Sequence, residues 1–185
     1  TDSDGETTSS TGDVIVENTD PVLSAVTITP NSNVYNDVVL TCSATASDPD
    51  EVVAETYTWS DSSGTIGNTS SLDLATTSLI PGDVITCIVD VADSNSGSAS
   101  DSANITVDNR APSDPTVTIS WTANGADPIT TDDLTCTATS SVDPDGDAVS
   151  YTYTWTSSTG GSATGSVLLA ANTAVSETWI CTVTT

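Results

Sequence analysis

The sequence predicts an all-β protein, and two observations carry this prediction. Short segments alternate apolar and polar residues with a period of two, as half-buried strands do, most clearly at residues 26–29, 38–42 and 84–89. No stretch of useful length repeats apolar residues at the spacing of a helix. A chain of 185 residues is long enough for one large domain or two small ones.

The charge balance excludes several classes of partner. The chain carries 26 acidic residues against one basic residue, Arg110, which gives a formal net charge of −25. A single Arg cannot displace the counterions of a nucleic acid, and anionic lipid surfaces would repel the chain. Apolar residues form no run near the ~18 residues that a membrane span needs. We therefore expect neither a nucleic-acid partner nor a membrane span.

The same composition argues against an enzyme. The chain has no His, the residue that most often serves as general acid or base near neutral pH. No Ser-His-Asp set, phosphate loop or recognisable pair of catalytic carboxylates is present. The absence of an initiating Met and of a signal stretch suggests a mature segment or a part of a longer chain. We therefore predict a protein that is not an enzyme.

Four cysteines and two tryptophans form a repeated pattern. Cys42 and Cys87 enclose a Tyr-Thr-Trp segment that ends at Trp59, and Cys136 and Cys181 enclose the same three residues. This order, a Cys, then a Trp, then a Cys on a late strand, resembles that of immunoglobulin-type domains. The resemblance is to the tandem Ig-like repeats of bacterial surface proteins, and in part to cadherin-type domains. The resemblance implies two Ig-like β-sandwiches in tandem. It covers nearly the whole chain.

The resemblance also implies how the cysteines are used. In this family type a disulfide joins strands B and F across the two sheets, which implies the bonds Cys42–Cys87 and Cys136–Cys181. Free buried thiols or a metal site are the alternatives, but the closely spaced Cys pairs of zinc sites do not occur. Disulfides imply an oxidising location, so we expect a secreted, extracellular or cell-surface protein.

A repeat of about 94 residues sets the predicted domains. The first domain spans residues 19–109 and ends in a last strand, strand G, near residues 104–107. The second spans residues 110–185 and lacks its own strand G. Residues 1–18 resemble the missing piece, since Val14, Ile15 and Val16 match the end of the first domain's strand G. The pair of domains is thus circularly shifted, and residues 1–18 complete the second domain of a preceding copy.

Two arrangements fit this shift, and both give a filament. The chain is either one period of a covalent array or a separate subunit that donates its N-terminal strand to a neighbour, a form of β-augmentation. An arbitrary fragment of a repeat array is the third alternative. In each arrangement the expected partners are copies of the same sequence.

Acidic loops at the predicted domain joints suggest a bound cation. Calcium takes six to eight hard oxygen ligands, and alternating acids in a turn supply them. Loops B–C and F–G and the preceding linker meet at one end of an Ig-like domain, so two sets are expected. The candidate ligands near the second domain are Asp108, Asn109, Asp143, Asp145, Asp147, Asp2 and Asp4, and those near the first are Asn18, Asp20, Asp48, Asp50 and Asp93. The alternative is that these residues only fill turns.

Weaker motifs concern glycans. Asn68 and Asn104 match the N-glycosylation pattern, a short pattern that is common by chance. Trp121 and Trp179 have no counterparts in the first domain, so they are either a sugar-stacking pair or packing residues. The sequence therefore predicts a structural repeat unit of an extracellular filament. The alternative is an adhesin stalk or a carbohydrate-binding or other ligand-binding module.

Overall fold

The computed structural model describes residue 1, residues 3–122 and residues 127–185. This part of the chain forms two compact units, Thr1–Val107 and Asp108–Thr185. Apart from two single-turn 3-10 helices, Leu74–Thr76 and Ala170–Asn172, its regular elements are all strands. The all-β prediction is confirmed. No helix in the described ranges is long and apolar enough to cross a membrane.

The first unit contains nine strands arranged as facing antiparallel sheets. The strands are β1 (Val22–Leu23), β2 (Thr27–Thr29), β3 (Val39–Ser43), β4 (Ala46–Ser47), β5 (Glu55–Asp61), β6 (Gly64–Gly67), β7 (Ser71–Asp73), β8 (Val84–Ala92) and β9 (Ser98–Thr106). One sheet has the order β2-β3-β7, a second has the order β6-β5-β8-β9, and β1 pairs with β4.

The core of the first unit follows from the alternation in its strands. Along β8, Ile85, Cys87, Val89 and Val91 are buried, while the residues between them are more exposed. Ile85, Cys87 and Val89 pack with Trp59, which exposes no surface. A disulfide joins Cys87 to β3 of the other sheet. The unit is therefore sandwich-like, with its core between two sheets held together by one covalent bond.

The second unit repeats this arrangement with fewer strands. Its sheets have the orders β10-β11-β14 and β13-β12-β15, from the strands β10 (Thr116–Trp121), β11 (Leu134–Thr139), β12 (Thr152–Ser157), β13 (Ser162–Thr164), β14 (Val167–Leu168) and β15 (Trp179–Thr184). The second disulfide joins Cys136 of β11 to Cys181 of β15.

The strand registers of the two units correspond. Trp59 lies opposite Cys87 in the β5–β8 pair, and Trp155 lies opposite Cys181 in the β12–β15 pair. On the facing sheets, Cys42 and Cys136 each lie opposite an isoleucine of the preceding strand. The repeated sequence pattern therefore produces a repeated strand pairing.

The two units differ in the size of their cores. Thirteen buried residues form the cluster of the first unit. Among the described residues of the second unit the buried cluster contains three, Cys136, Trp155 and Leu168. The cause is the strand content, because nothing in the described part of the second unit corresponds to β9.

Candidate functional site

The candidate site is the free edge of β15 in the second unit. In the first unit the equivalent edge belongs to β8, which pairs along its whole length with β9, from Val84 opposite Thr106 to Ala92 opposite Ser98. In the second unit β15 pairs with β12, and no other strand of the described chain pairs with it. An unpaired edge presents backbone N–H and C=O groups that can accept a further strand.

Strand β9 also covers the inner face of the opposite sheet in the first unit. It contacts β1 and β2, and the backbone N–H of Val26 donates to the carboxylate of Asp101 on β9 at 3.0 Å. Val26 and Ile28 are consequently 8% exposed. Val117 and Ile119, their counterparts on β10, are 39% exposed. No described strand of the second unit takes the place of β9, and these two apolar side chains are in contact with water.

A cavity of about 370 Å³ lies next to the free edge. Its lining includes Ile129, Asp132, Leu134, Ser176, Glu177 and Trp179. In the first unit the counterparts of Ser176 and Glu177 hold Val107, whose N–H donates to Asp83 O and whose C=O accepts from Gly82 N, each at 2.9 Å. The cavity therefore lies where no described residue of the second unit takes the place of Val107.

The N-terminal segment has the features of a strand without a partner. Val14, Ile15 and Val16 lie outside the regular strands and are 87%, 79% and 88% exposed. The turn before them resembles the turn that leads into β9, since Gly5 has a φ of 85° and its counterpart Ser96 has a φ of 82°. The structure therefore places three exposed apolar residues after a turn that shares its positive-φ position with the turn between β8 and β9.

The acidic residues near the first predicted joint come together in the first unit. Asn18 Nδ2 donates to Asp93 Oδ2 at 2.8 Å, and the backbone N–H of Thr19 donates to Asp50 Oδ2 at 2.8 Å. The carboxylates of Asp93 and Asp20 both lie against Gly97. The Asn18 amide is the largest of the causes that lower the pKa of Asp93, and backbone N–H groups add to it against a smaller rise from burial.

One oxygen in this cluster is unsatisfied. Asp48 Oδ1 accepts from the backbone N–H groups of Asp50 and Glu51, whereas Asp48 Oδ2 is buried without a hydrogen-bond partner among the described residues. In residues 3–122 and 127–185, no three or more His, Cys, Asp or Glu side chains are arranged to hold one metal ion. The side-chain oxygens of this cluster are suitable calcium ligands, but several of them accept hydrogen bonds from the protein itself.

In the second unit a guanidinium occupies the acidic loop. Arg110 donates from Nε to Asp145 Oδ1 and from its backbone N–H to Asp145 Oδ2, at 2.8 and 2.6 Å, and its Nη2 bonds Pro144 O at 3.1 Å. Burial raises the pKa of the Asp145 carboxyl, but the hydrogen bonds and charge of Arg110 together lower it below its ordinary value. Sequence reasoning missed this pair.

The other candidate ligands of the second set are dispersed. Asp143 Oδ1 accepts from the backbone N–H of Asp145, and Asn109 Nδ2 donates to the C=O of Arg110. Asp147, Asp108 and Asp4 are exposed, and Asp2 lies outside the described residues. The second set therefore resembles a cation site less than the first, because Arg110 already supplies the positive charge.

The glycan candidates lie in different settings. Asn68 is exposed between β6 and β7, and Asn104 is exposed within β9, opposite Thr86. Trp121 ends β10, and Trp179 begins β15 in the other sheet, where its Nε1 donates to Glu177 Oε2 at 3.1 Å. Trp179 also packs against the buried cluster of the second unit.

Comparisons of this chain with models of protein families, with curated proteins and with solved structures find no match.

Proposed function

We propose that this chain is a structural repeat unit of a secreted extracellular filament, built head to tail from Ig-like sandwiches. Such a protein acts mechanically, by resisting unfolding and by continuing a chain of similar domains. Two disulfides support an oxidising, extracellular location. The connection between successive chains is either covalent or made by strand donation.

The observation that carries the proposal is the mismatch between two otherwise equivalent units. Both have a disulfide between facing sheets and a tryptophan opposite its second cysteine. In the first unit β9 pairs with β8, while within the described chain no strand pairs with the corresponding edge of β15. A unit that is open at one edge is suited to join a neighbour, and a neighbour of the same sequence extends the series.

The disulfides supply much of the stability that such thin sandwiches need. Each bond closes a loop with a sequence separation of 45 residues. A loop of that length corresponds to roughly 4 kcal/mol in the chain-entropy model. The small core of the second unit makes this contribution most important there.

Calcium at the acidic loops is a part of the proposal that the first unit supports best. Asn18, Asp20, Asp48, Asp50 and Asp93 would hold the ion, and the buried, unpartnered Asp48 Oδ2 is the observation that favours it. Bound calcium would neutralise neighbouring carboxylates and stiffen the loops. In the second unit Arg110 takes this neutralising role at Asp145.

The experiment that tests the filament is electron microscopy of the native material, together with its mass after reduction and denaturation. Filaments made of a species near 18.7 kDa, apart from glycans, would mean separate subunits. Filaments made of a much larger species would mean a covalent array. Native material that contains only dispersed single chains would contradict the proposal.

A second candidate, a carbohydrate-binding or adhesin module, is favoured by one observation. Trp179 and Glu177 both line the cavity beside β15, and ligand sites combine aromatic side chains with a few polar groups. Glycan-array binding that is abolished by Trp179→Ala would favour this candidate. Trp121, from a different strand and sheet, provides the matched control substitution, Trp121→Ala.

A further inference from the structure

We propose that residues 9–14 of a second copy of this chain pair antiparallel with β15 and that Val16 of that copy enters the cavity beside it. The inference deepens the proposed function by naming the partner and the strand, and it rests on that function only for the assembly of many copies into a filament. The β8–β9 pair of the first unit is its structural template.

The template fixes a register for the new strand. A shift of 91 positions (107 − 16) carries Val16 onto Val107, and a shift of 94 positions (181 − 87) carries Cys181 onto Cys87. Since Ile85 lies opposite Ile105 and Cys87 opposite Ala103, Val14 of the second copy would lie opposite Trp179 and Gly12 opposite Cys181. The smallest residue of the segment would thus lie next to the disulfide.

The same template fixes which side chains point inward. In the first unit Ile105 packs against the core and Val107 is 2% exposed, while Thr106 between them faces solvent. Val14 and Val16 would therefore face the core of the second unit, and Ile15 would face outward. Val16 would occupy the part of the cavity bordered by Ser176 and Glu177, the position that Val107 takes beside Gly82 and Asp83.

Two further features support this occupant. Ser176 has a φ of 68° and its counterpart Gly82 a φ of 93°, so the second unit already forms the turn that receives the inward valine. Val14 and Val16 are almost fully exposed in the structure, and β15 does not pair with them within this chain. A second copy of the chain supplies the same segment.

The first experiment measures self-association of the full chain by light scattering coupled to size exclusion. The unmodified chain should form oligomers, and Val14→Asp with Val16→Asp should weaken association at least about 100-fold, because an unpaired carboxylate is strongly disfavoured in an apolar site. Ile15→Asp is the matched control and should leave association within about threefold, because its side chain would face water. An unmodified chain that remains monomeric, or equal effects of all three substitutions, would overturn the inference.

The second experiment tests the register by cross-linking. Thr11 and Thr182 would lie directly opposite on the outer face, at the Cα separation that a disulfide accepts. Thr11→Cys with Thr182→Cys should give a ladder of covalent oligomers on a non-reducing gel. Gly12→Cys with Thr182→Cys places the two thiols on opposite faces and should give no ladder. Equal ladders from both pairs, or none from either, would contradict this register.

The results separate this inference from the proposed function. Filaments that persist in the Val14→Asp, Val16→Asp chain would support the proposed filament and contradict the pairing of the N-terminal segment with β15. A register-specific cross-link that stops at closed dimers would support the strand and contradict the filament. Protection of residues 6–16 from hydrogen exchange in a monomer would assign the strand to the same chain and overturn the choice of a second copy.

Discussion

At the scale of single residues, the two central tryptophans show how closely sequence and structure agree. Trp59 and Trp155 expose no surface, and their indole N–H groups donate to the C=O of Thr69 at 2.8 Å and of Gly165 at 3.0 Å. Their spacing from the cysteines predicts a buried position beside a disulfide. The hydrogen-bond acceptors could not be predicted, since they lie in loops whose course depends on turn geometry.

Substituting Trp59 tests its structural role. Trp59→Ala should lower the free energy of unfolding by about 3–5 kcal/mol, because it removes a large buried side chain. Trp59→Phe keeps most of the volume but loses the indole donor, and should cost less, about 1–2 kcal/mol. Urea denaturation measures both values. An Ala variant as stable as the Phe variant would mean that Trp59 does not pack as described.

The Arg110–Asp145 pair illustrates what a sequence pattern leaves open. Arg110 is the only basic residue, and any of three acids within one loop could have formed an ion pair with it, namely Asp143, Asp145 and Asp147. The choice depends on the local turn, which aims the fully buried Asp145 side chain at the guanidinium. A sole basic residue in an acidic chain was the signal that could have indicated a paired role.

The lowered pKa of Asp145 predicts a pH dependence. A carboxyl whose folded-state pKa lies below its ordinary value of 3.8 stabilises the fold above that value, and this contribution disappears as the pH falls through the folded-state pKa. Asp145→Asn should therefore lower the melting temperature of the second unit at pH 7, and the difference should shrink as the pH falls below 3.8 and through the lowered folded-state pKa. Calorimetry measures it.

Asp147→Asn is the control for this pair, because Asp147 is an exposed acid on the same loop. It should leave the melting temperature nearly unchanged at pH 7. A similar loss in both variants would show that general loop charge, rather than the contact with Arg110, determines stability.

At the scale of elements, alternation predicted the central strands well. Strands β3 and β8 lie where Val, Ile and Thr alternate, and the disulfides form between the cysteines that the sequence analysis pairs. Alternation could not predict that Val117 and Ile119 remain partly exposed. Burial depends on which strand covers a face, and that strand belongs to another part of the sequence.

The unequal cores predict unequal dependence on the two disulfides. Removing Cys136–Cys181 by paired Ala substitutions should unfold the second unit, because its buried cluster is small and a loss of about 4 kcal/mol is a large share of its stability. The matched change at Cys42 and Cys87 should leave the first unit folded but less stable. Hydrogen-exchange mass spectrometry resolves the units separately. A second unit that stays protected without its disulfide would contradict this expectation.

The acidic loops of the first unit predict a calcium response. Calcium should raise the melting temperature of metal-free protein, by an amount equivalent to about 2.7 kcal/mol at a concentration 100-fold above its dissociation constant. Asp48→Asn with Asp93→Asn should blunt the rise, and Asp147→Asn should not. No response of the unmodified chain to calcium would exclude the site.

At the scale of the whole molecule, charge is the dominant property. A net charge of −25 opposes any approach of two copies, and the open edge of the second unit is bordered by Glu177 and Asp132. The sequence alone establishes this charge. It could not establish that acids border the surface where a second copy would have to dock.

This charge predicts that association depends on salt. Raising sodium chloride from low to physiological concentration shortens the screening length from about 30 Å to about 8 Å, so self-association should strengthen. Sedimentation at several salt concentrations measures the change. Association that weakens with salt would indicate an attractive ionic contact, and would argue against the apolar strand pairing.

The position of Arg110 has a further consequence for protein chemistry. It is the only site that trypsin can cleave, and it lies three residues past the boundary between the units. One cut after Arg110 would separate two fragments, each with one intact disulfide. Since its backbone N–H and side chain are both bound to Asp145, the peptide must open locally before cleavage. The rate of a single proteolytic event therefore measures how often the start of the second unit opens.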